Sequence, residues 1–306
     1  MTEISDPRDD RATGTFLKDV RAWVTTRQSY NTRVAYLRAL ALWEAHQGPR
    51  RAGEPTQDSA VDFREWLRTD NAQRRAMATL TVRRVLAALS SMRAATAPGV
   101  HNVFSERSLP RPPAPDHGMT EAVSDEDARR VVEAAGRPGR RGAVALRDRA
   151  LLQVLWDTGM RRGDVVTAER SGVVRRGGTV VLKHAVKGGR DVETELAPDA
   201  ATAVTRWLAA APPSRWVFCV TPGGRAMTPG CVSRVVERAA AAAGLKVHPH
   251  QFRAAFITRC LDAGIRIERV QAAAHHRDIK STVRYDRGAR GAGVAAELAA
   301  LRARDK

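Results

Sequence analysis

"GTVVLKHAVKGGRDVETEL", residues 178–196, is the stretch where the period of the sequence changes. On both sides apolar residues recur at helical spacing. Here "GTVVLKHAV" and "RDVETEL" are β-branched and partly alternating, and the glycine turn "KGGR" separates them, so two strands of a hairpin are expected. "SGVVR" (171–175) is a candidate third strand. One short sheet inside an otherwise helical chain predicts a mainly α protein with a small antiparallel β-sheet, an α+β fold.

Upstream, "TFLKDVRAWVTTRQSYNTRVAYLRALALWEAHQ" (15–47) spaces Phe16, Val20 and Trp23, then Val34, Leu37 and Leu40, as two helices. Ser29 or Asn31 is the expected N-cap of the second. "SAVDFREWLRTD" and "ATLTVRRVLAALSSMRAAT" add two more helices, the latter opening near Thr79 or Thr81. Residues 15–104 are therefore expected as an all-helical unit, with Arg33, Arg38, Arg74, Arg75, Arg83 and Arg84 on its exposed faces. Four prolines within positions 110–115 forbid a helix, so 105–120 is expected as a semi-rigid linker. A second domain then spans 121–306.

That domain opens with "SDEDARRVVEAA", where Ser124 supplies an N-cap and the acidic residues a favourable first turn. "AVALRDRALLQVLWDTGM" is a long apolar-faced helix ending at Gly159. After the hairpin, helical texture returns in "DAATAVTRWLAAA", "TPGCVSRVVERAAAAAGL", "HQFRAAFITRCLDAG" and "RIERVQAAAHH". The last segment, "GVAAELAALRAR", has Val294, Leu298 and Leu301 in line; it is too short to stand alone and must dock on something.

Bulk numbers narrow the function. The 306 residues carry a net charge of +18, which attracts a polyanion, and nucleic acid is the commonest polyanion in a cytoplasm. No run of 18 apolar residues exists, so no membrane span is expected, and the basic residues are spread along the chain rather than gathered on one amphipathic helix, which argues against a membrane partner. The first twenty residues lack the basic start and apolar core of a secretory signal. Three cysteines, none in CxxC spacing, suit a cytoplasmic setting.

The chemistry-bearing residues gather toward the C-terminus. "HQFR" puts His250 and Arg253 on one helix face. His276 follows 26 residues later and Tyr285 nine after that, in "AHHRDIKSTVRYD". Tyr285 has Arg284 before it and Asp286 and Arg287 after it, a polar setting that suits chemistry better than packing. A phosphodiester under attack builds charge on two non-bridging oxygens, and two guanidiniums offer paired donors to them; Arg161 and Arg253 are the candidates. Arginine suits this better than lysine because it stays charged and presents a planar fork.

"DTGMRRGD", "VKGGR", "HQFR" and "AHHRDIKSTVRY" together resemble, in order and spacing, the motif set of the tyrosine recombinases, the phage integrase and Xer-type DNA strand-exchange enzymes. "SYNTRVAYLRAL" is similar to the opening of that family's helical core-binding domain, and the resemblance covers roughly residues 15–300. It implies a two-domain clamp around duplex DNA, with inverted-repeat core sites and self-association from dimer to tetramer on DNA. The location it implies is cytoplasmic and nucleoid-associated.

By the same resemblance Tyr285 is the nucleophile, forming a 3′-phosphotyrosyl link, and Arg161 and Arg253 clamp the phosphate. His250 assists deprotonation of the phenol, and His276 hydrogen-bonds a non-bridging oxygen. Lys187, directly before the turn glycine, protonates the leaving 5′ oxygen, with Lys183 as its competitor. Asp164 matches a supporting position that braces the arginine and histidine. Many members pass the C-terminal helix to a neighbouring subunit, so "GVAAELAALRAR" is expected to dock in trans.

Three positions depart from the pattern. Arg162 stands where an aliphatic residue is usual, Ala254 where histidine is frequent, and His275 where a glycine usually precedes the second histidine. Spacing to both His250 and Tyr285 selects His276 over His275.

The scheme requires no cofactor, nucleotide or metal, and the chain has no GxxxxGK[ST] loop. A metal set drawn from His248, His250, His275, His276 and Asp278 is disfavoured, because adjacent histidines on a helix point about 100° apart. Two readings stay open beside site-specific recombination: a type IB topoisomerase-like nicking–closing enzyme, and a catalytically silent DNA-binding protein of the same fold.

Overall fold

The structure, a computed structural model, describes residues 17–27, 29–48, 54–70, 75–113, 120–136, 142–186 and 189–286. Lys187 and the C-terminal segment 293–304 lie outside the described residues. The chain divides into two compact units, Met1–His117 and Gly118–Lys306.

The first unit is helical: α1 (17–25), α2 (Tyr30–Gln47), α3 (Gln57–Arg68) and α4 (Thr79–Thr96). Ser29 caps α2 by accepting from the Thr32 amide, and Thr56 and Ser59 form a reciprocal capping box on α3. The core centres on Trp43, whose ring meets Phe63 edge-on at 5.1 Å and Phe104 at 5.0 Å. Leu109 is fully buried in the same core. Gln57 donates to the Ser108 carbonyl, Arg64 to Pro110 and Arg83 to Pro112. The stretch expected as a linker from 105 is therefore bonded, through residue 112, to the helices of this unit.

The second unit wraps helices around one of their own. Its helices α5 (Asp125–Ala135), α6 (Gly142–Thr158) and the short α7 (Arg162–Val165) precede a three-stranded sheet. Strands β1 (Val173–Arg176), β2 (Thr179–Ala185) and β3 (Asp191–Leu196) pair antiparallel in the order β1-β2-β3, with Lys183 opposite Glu193. The "SGVVR" stretch supplies β1. Then come α8 (Pro198–Ala210), α9 (Pro229–Ala242), α10 (Pro249–Asp262), α11 (Ile267–Ala273) and α12 (Lys280–Val283).

Helix α6 is central. Ala150, Leu151, Leu152, Val154 and Leu155 are all fully buried, and at about 100° per residue they cover roughly 200° of the helix, a far wider apolar face than a surface helix shows, with exposed Arg149 on the remaining side. The buried Arg147 and Asp148 on α6 survive by pairing: Arg147 meets Asp148 at 2.7 Å, Arg238 of α9 meets Asp148 at 2.9 Å, and Arg147 also donates to the Cys219 carbonyl. Helix α6 stops at Gly159, whose φ of 60° continues the chain in the left-handed region. A Cβ there would meet the Phe256 ring at 2.6 Å.

One helix ends earlier than its sequence suggests. "RIERVQAAAHH" is expected to stay helical through the histidine pair, but α11 ends at Ala273. The His276 amide reaches back to the Gln271 carbonyl and the His275 amide to Ala272, both at 3.0 Å, closing a Schellman turn. His275 sits at its left-handed position with φ 50°.

Candidate active site

Four segments of the second unit converge on one cavity of about 280 Å³, lined by Thr120, Arg161, His250, Arg253, His276, Ser281, Arg284 and Tyr285. Arg161 leaves the turn after α6 and is the N-cap of α7. His250 and Arg253 share a face in the first turns of α10, which opens on His248 and Pro249. His276 follows the turn that ends α11, and Tyr285 follows α12.

Arg253 is 5% exposed, yet its guanidinium contacts no carboxylate within ion-pair distance among the described residues. It donates instead to two carbonyls, Gly159 at 2.7 Å and Ala274 at 2.6 Å. Burial, with Arg161 adding repulsion, lowers its pKa to about 10, so it stays charged at neutral pH. Two of its five N–H groups serve those carbonyls, which leaves donors free for a ligand. Arg161 donates to the next carbonyl, His275, at 3.2 Å, and approaches Asp164 at 3.5 Å. Consecutive carbonyls of one turn thus hold the two arginines.

Asp164 is 5% exposed, and desolvation raises its carboxyl pKa, with Arg161 and Arg253 opposing the rise. Asp164 meets Arg161 alone, and no described carboxylate reaches Arg253 within ion-pair distance. Such a site favours an anion from outside.

All the imidazoles here are held toward the neutral form. Desolvation, helped by Arg253 and Arg161, brings His276 to about 4. His275 is also lowered to about 4, by desolvation and then by His184. His250 is lowered by desolvation at the cavity mouth and then by Arg162, Arg253 and Arg161. The His276 Nδ1 lies 2.8 Å from the hydroxyl of Thr282, a fully buried residue. If the hydroxyl donates, Nε2 carries the ring proton and faces the cavity as a donor. The Tyr285 amide bonds the Thr282 carbonyl at 2.9 Å, so one threonine steadies both the histidine and the tyrosine turn.

The histidine pair divides. The His276 ring faces the cavity, whereas His275 turns away to the Thr194 hydroxyl at 3.1 Å. This parting also separates the metal set considered above, and no group of three or more candidate metal ligands exists among the described residues. Lys183 is exposed on the sheet face opposite buried His184 and approaches Glu193 at 3.5 Å. Arg162 is exposed and donates to Ser233 on α9, and Ala254 is fully buried.

Sequence reading missed Thr282, Ser281, Arg284 and Thr120. Arg284 and Thr282 stand one and three residues before Tyr285, and proximity to a candidate nucleophile was the available signal. Nothing local marks Thr120. The polar neighbours of Tyr285 in sequence also mislead, because in space it packs beside the apolar cluster of Ile257, Val270 and Ala274.

This arrangement has relatives. The tyrosine recombinase XerD of Mycobacterium leprae (strain TN) is 27% identical over 277 residues, covering 83% of this chain and 86% of that protein. The tyrosine recombinase XerC of Rhodospirillum centenum is 30% identical over 190 residues, covering 59% of this chain and 51% of that one. In fold, the chain matches the Tn1549 transposon integrase in complex with transposon right-end DNA, with a TM-score of 0.70 at 15% identity, covering 94% and 99% of the two chains. The XerH site-specific recombinase bound to palindromic difH substrate gives 0.66 at 16% identity, covering 93% and 94%. The model of the phage integrase family matches residues 121–290, more than half of the chain and all of the described cavity except Thr120. The chain belongs to the phage integrase family.

Proposed function

We propose that the cavity is the DNA-cleaving centre of a site-specific recombinase, with Tyr285 as its nucleophile. The chain is a tyrosine-type enzyme that breaks and rejoins DNA. The observation that carries the assignment of residues is the convergence of Arg161, Arg253, His250, His276 and Tyr285 on one cation-rich cavity.

In the proposed reaction the Tyr285 hydroxyl attacks phosphorus, and the bond to the 5′ oxygen breaks. A 3′-phosphotyrosyl link and a 5′ hydroxyl result. His250, held neutral, accepts the phenolic proton. Arg161, Arg253 and the His276 Nε2–H receive the charge that builds on the non-bridging oxygens; losing one such donor typically costs about a hundred- to a thousandfold in rate. Lys187 supplies the proton to the leaving oxygen, and Asp164 steadies Arg161. Reversal by another 5′ hydroxyl rejoins the strand. The phosphodiester energy stays in the protein link, so the scheme needs no nucleotide or metal.

Among the solved neighbours are lambda integrase dimers bound to a COC' core site and a lambda integrase tetramer bound to a Holliday junction. For this chain we infer inverted-repeat duplex sites, assembly from dimer to tetramer on DNA, and a cytoplasmic, nucleoid-associated location. We propose that the helical unit and the catalytic unit both contact the duplex. No helix among the described residues is long and apolar enough to cross a membrane.

The test selects a binding site from a random duplex library and nicks it so that the cleaved strand escapes. Wild type should accumulate a covalent adduct that maps to the Tyr285 peptide. Tyr285→Phe should give none, while its DNA affinity stays within a few-fold; adducts from that variant would remove Tyr285 from the role. Lys187→Ala should be slow on ordinary DNA but near normal when the bridging 5′ oxygen is sulfur, since a thiolate leaves without a proton. Equal impairment on both substrates would reassign the acid. Relaxation of supercoiled DNA without exchange between duplexes would point to the topoisomerase-like reading.

A further inference from the structure

Three helices of the catalytic unit end in the same Schellman turn. In α9 the Leu245 amide bonds the Ala240 carbonyl and Gly244 holds the left-handed position at φ 73°. In α10 the Ile265 amide bonds Cys260 and Gly264 stands at φ 74°. Helix α11 uses His275 there, the only non-glycine residue with positive φ among the described residues. A side chain at this position is disfavoured unless its surroundings hold it.

Its surroundings do hold it. The His275 Nε2 lies 3.1 Å from the Thr194 hydroxyl on β3, and the His184 Nε2 on β2 lies 2.9 Å from the same hydroxyl. The two rings meet edge to face at 5.4 Å. His184 is 3% exposed and Thr194 8%. Neutral imidazoles suit this chain: one ring donates N–H to the threonine oxygen, and the threonine O–H donates to the other ring. The turn so held presents its carbonyls to Arg253 and Arg161.

We propose that His275 is a positioning residue: its imidazole, tied through Thr194 to His184, holds the left-handed turn that aims the Ala274 and His275 carbonyls at Arg253 and Arg161. This rests on the reading of the cavity as the cleavage site. It makes the small sheet a support for the phosphate clamp, and it assigns functions to three residues outside the cavity.

The test compares His275→Gly with His275→Ala in the full-length protein, by single-turnover cleavage of the nicked duplex. Glycine adopts the turn without support, while alanine loses the support and keeps the backbone penalty. His275→Ala should cleave on the order of a hundredfold more slowly, the scale of an ångström misplacement, with DNA affinity within a few-fold. His275→Gly should stay within about fivefold of wild type, because the turn no longer needs the side chain. A packing role reverses that order, since glycine leaves the larger void; glycine equal to or slower than alanine overturns the proposal.

Thr194→Val should slow cleavage about tenfold in the wild-type background and have no further effect in the His275→Gly background, as expected of coupled sites. An equal effect in both backgrounds also overturns it. This pair decides the matter if His275→Ala does not fold. If wild type forms no adduct with any duplex, the reading of the cavity fails separately. The side-chain N–H exchange of Arg161 and Arg253, followed by NMR, then judges the turn alone. Protection should survive in His275→Gly and fall in His275→Ala, and equal protection would overturn the proposal.

Discussion

At the scale of single residues, the cavity is defined by charges that the protein leaves uncompensated. Arg253 is buried against carbonyls, and Asp164 is pushed toward its neutral form by desolvation. An anionic ligand would supply the counter-charge that buried Arg253 lacks, which is the physical case for a phosphate. Thr282 is the residue whose role is easiest to isolate, because valine matches its shape and lacks the hydroxyl. Thr282→Val should release the His276 tautomer and cut the cleavage rate roughly ten- to a hundredfold while leaving DNA affinity within a few-fold. NMR of the imidazole nitrogens should show His276 passing from one tautomer to a mixture. An unchanged tautomer with a normal rate would remove Thr282 from the site.

At the scale of elements, the setting of the two arginines depends on how helices end. Helix α6 stops at Gly159, whose carbonyl receives Arg253, and α11 stops at the turn whose carbonyls receive both arginines. Gly159→Ala places a side chain at φ 60° and against the Phe256 ring. The expected cost is about 2 kcal/mol, or a fall of roughly 4–8 °C in the Tm of a unit this size. Cleavage should fall more than DNA binding, because the same carbonyl anchors the buried guanidinium. A thermal melt unchanged from wild type would show that Phe256 yields without strain.

At the scale of the whole molecule, the neutral imidazoles make stability depend on pH. His275 and His276 titrate near 4 when folded, against about 6.5 for an ordinary histidine, and His184 and His250 shift in the same direction. Below 6.5 the unfolded chain takes up protons that the folded chain refuses. Stability is therefore full above pH 6.5, falls as the pH drops toward 4, and stops responding to these groups below that. Asp164 opposes this above its ordinary 3.8, since its raised pKa favours proton uptake by the folded state. The Tm should decline between pH 6.5 and 4, and less steeply in His276→Asn. An unchanged slope in that variant would show that His276 titrates normally.

What the sequence alone determined was whatever local pattern could express. The hairpin at 178–196 announced itself because strand alternation and a glycine turn are properties of neighbouring residues. The caps at Ser29 and Ser124 were legible for the same reason, since a hydroxyl and an amide three residues on make them. The order and spacing of "DTGMRRGD", "HQFR" and the C-terminal tyrosine motif carried the family. Tertiary structure alone decided where α11 stops, because that end is held by a threonine 81 residues away on β3. It also decided that the two adjacent histidines face different partners, and that polar-flanked Tyr285 rests on an apolar cluster. Partners brought together by folding leave no mark on the residues beside them in the chain, and so no local reading could have found them.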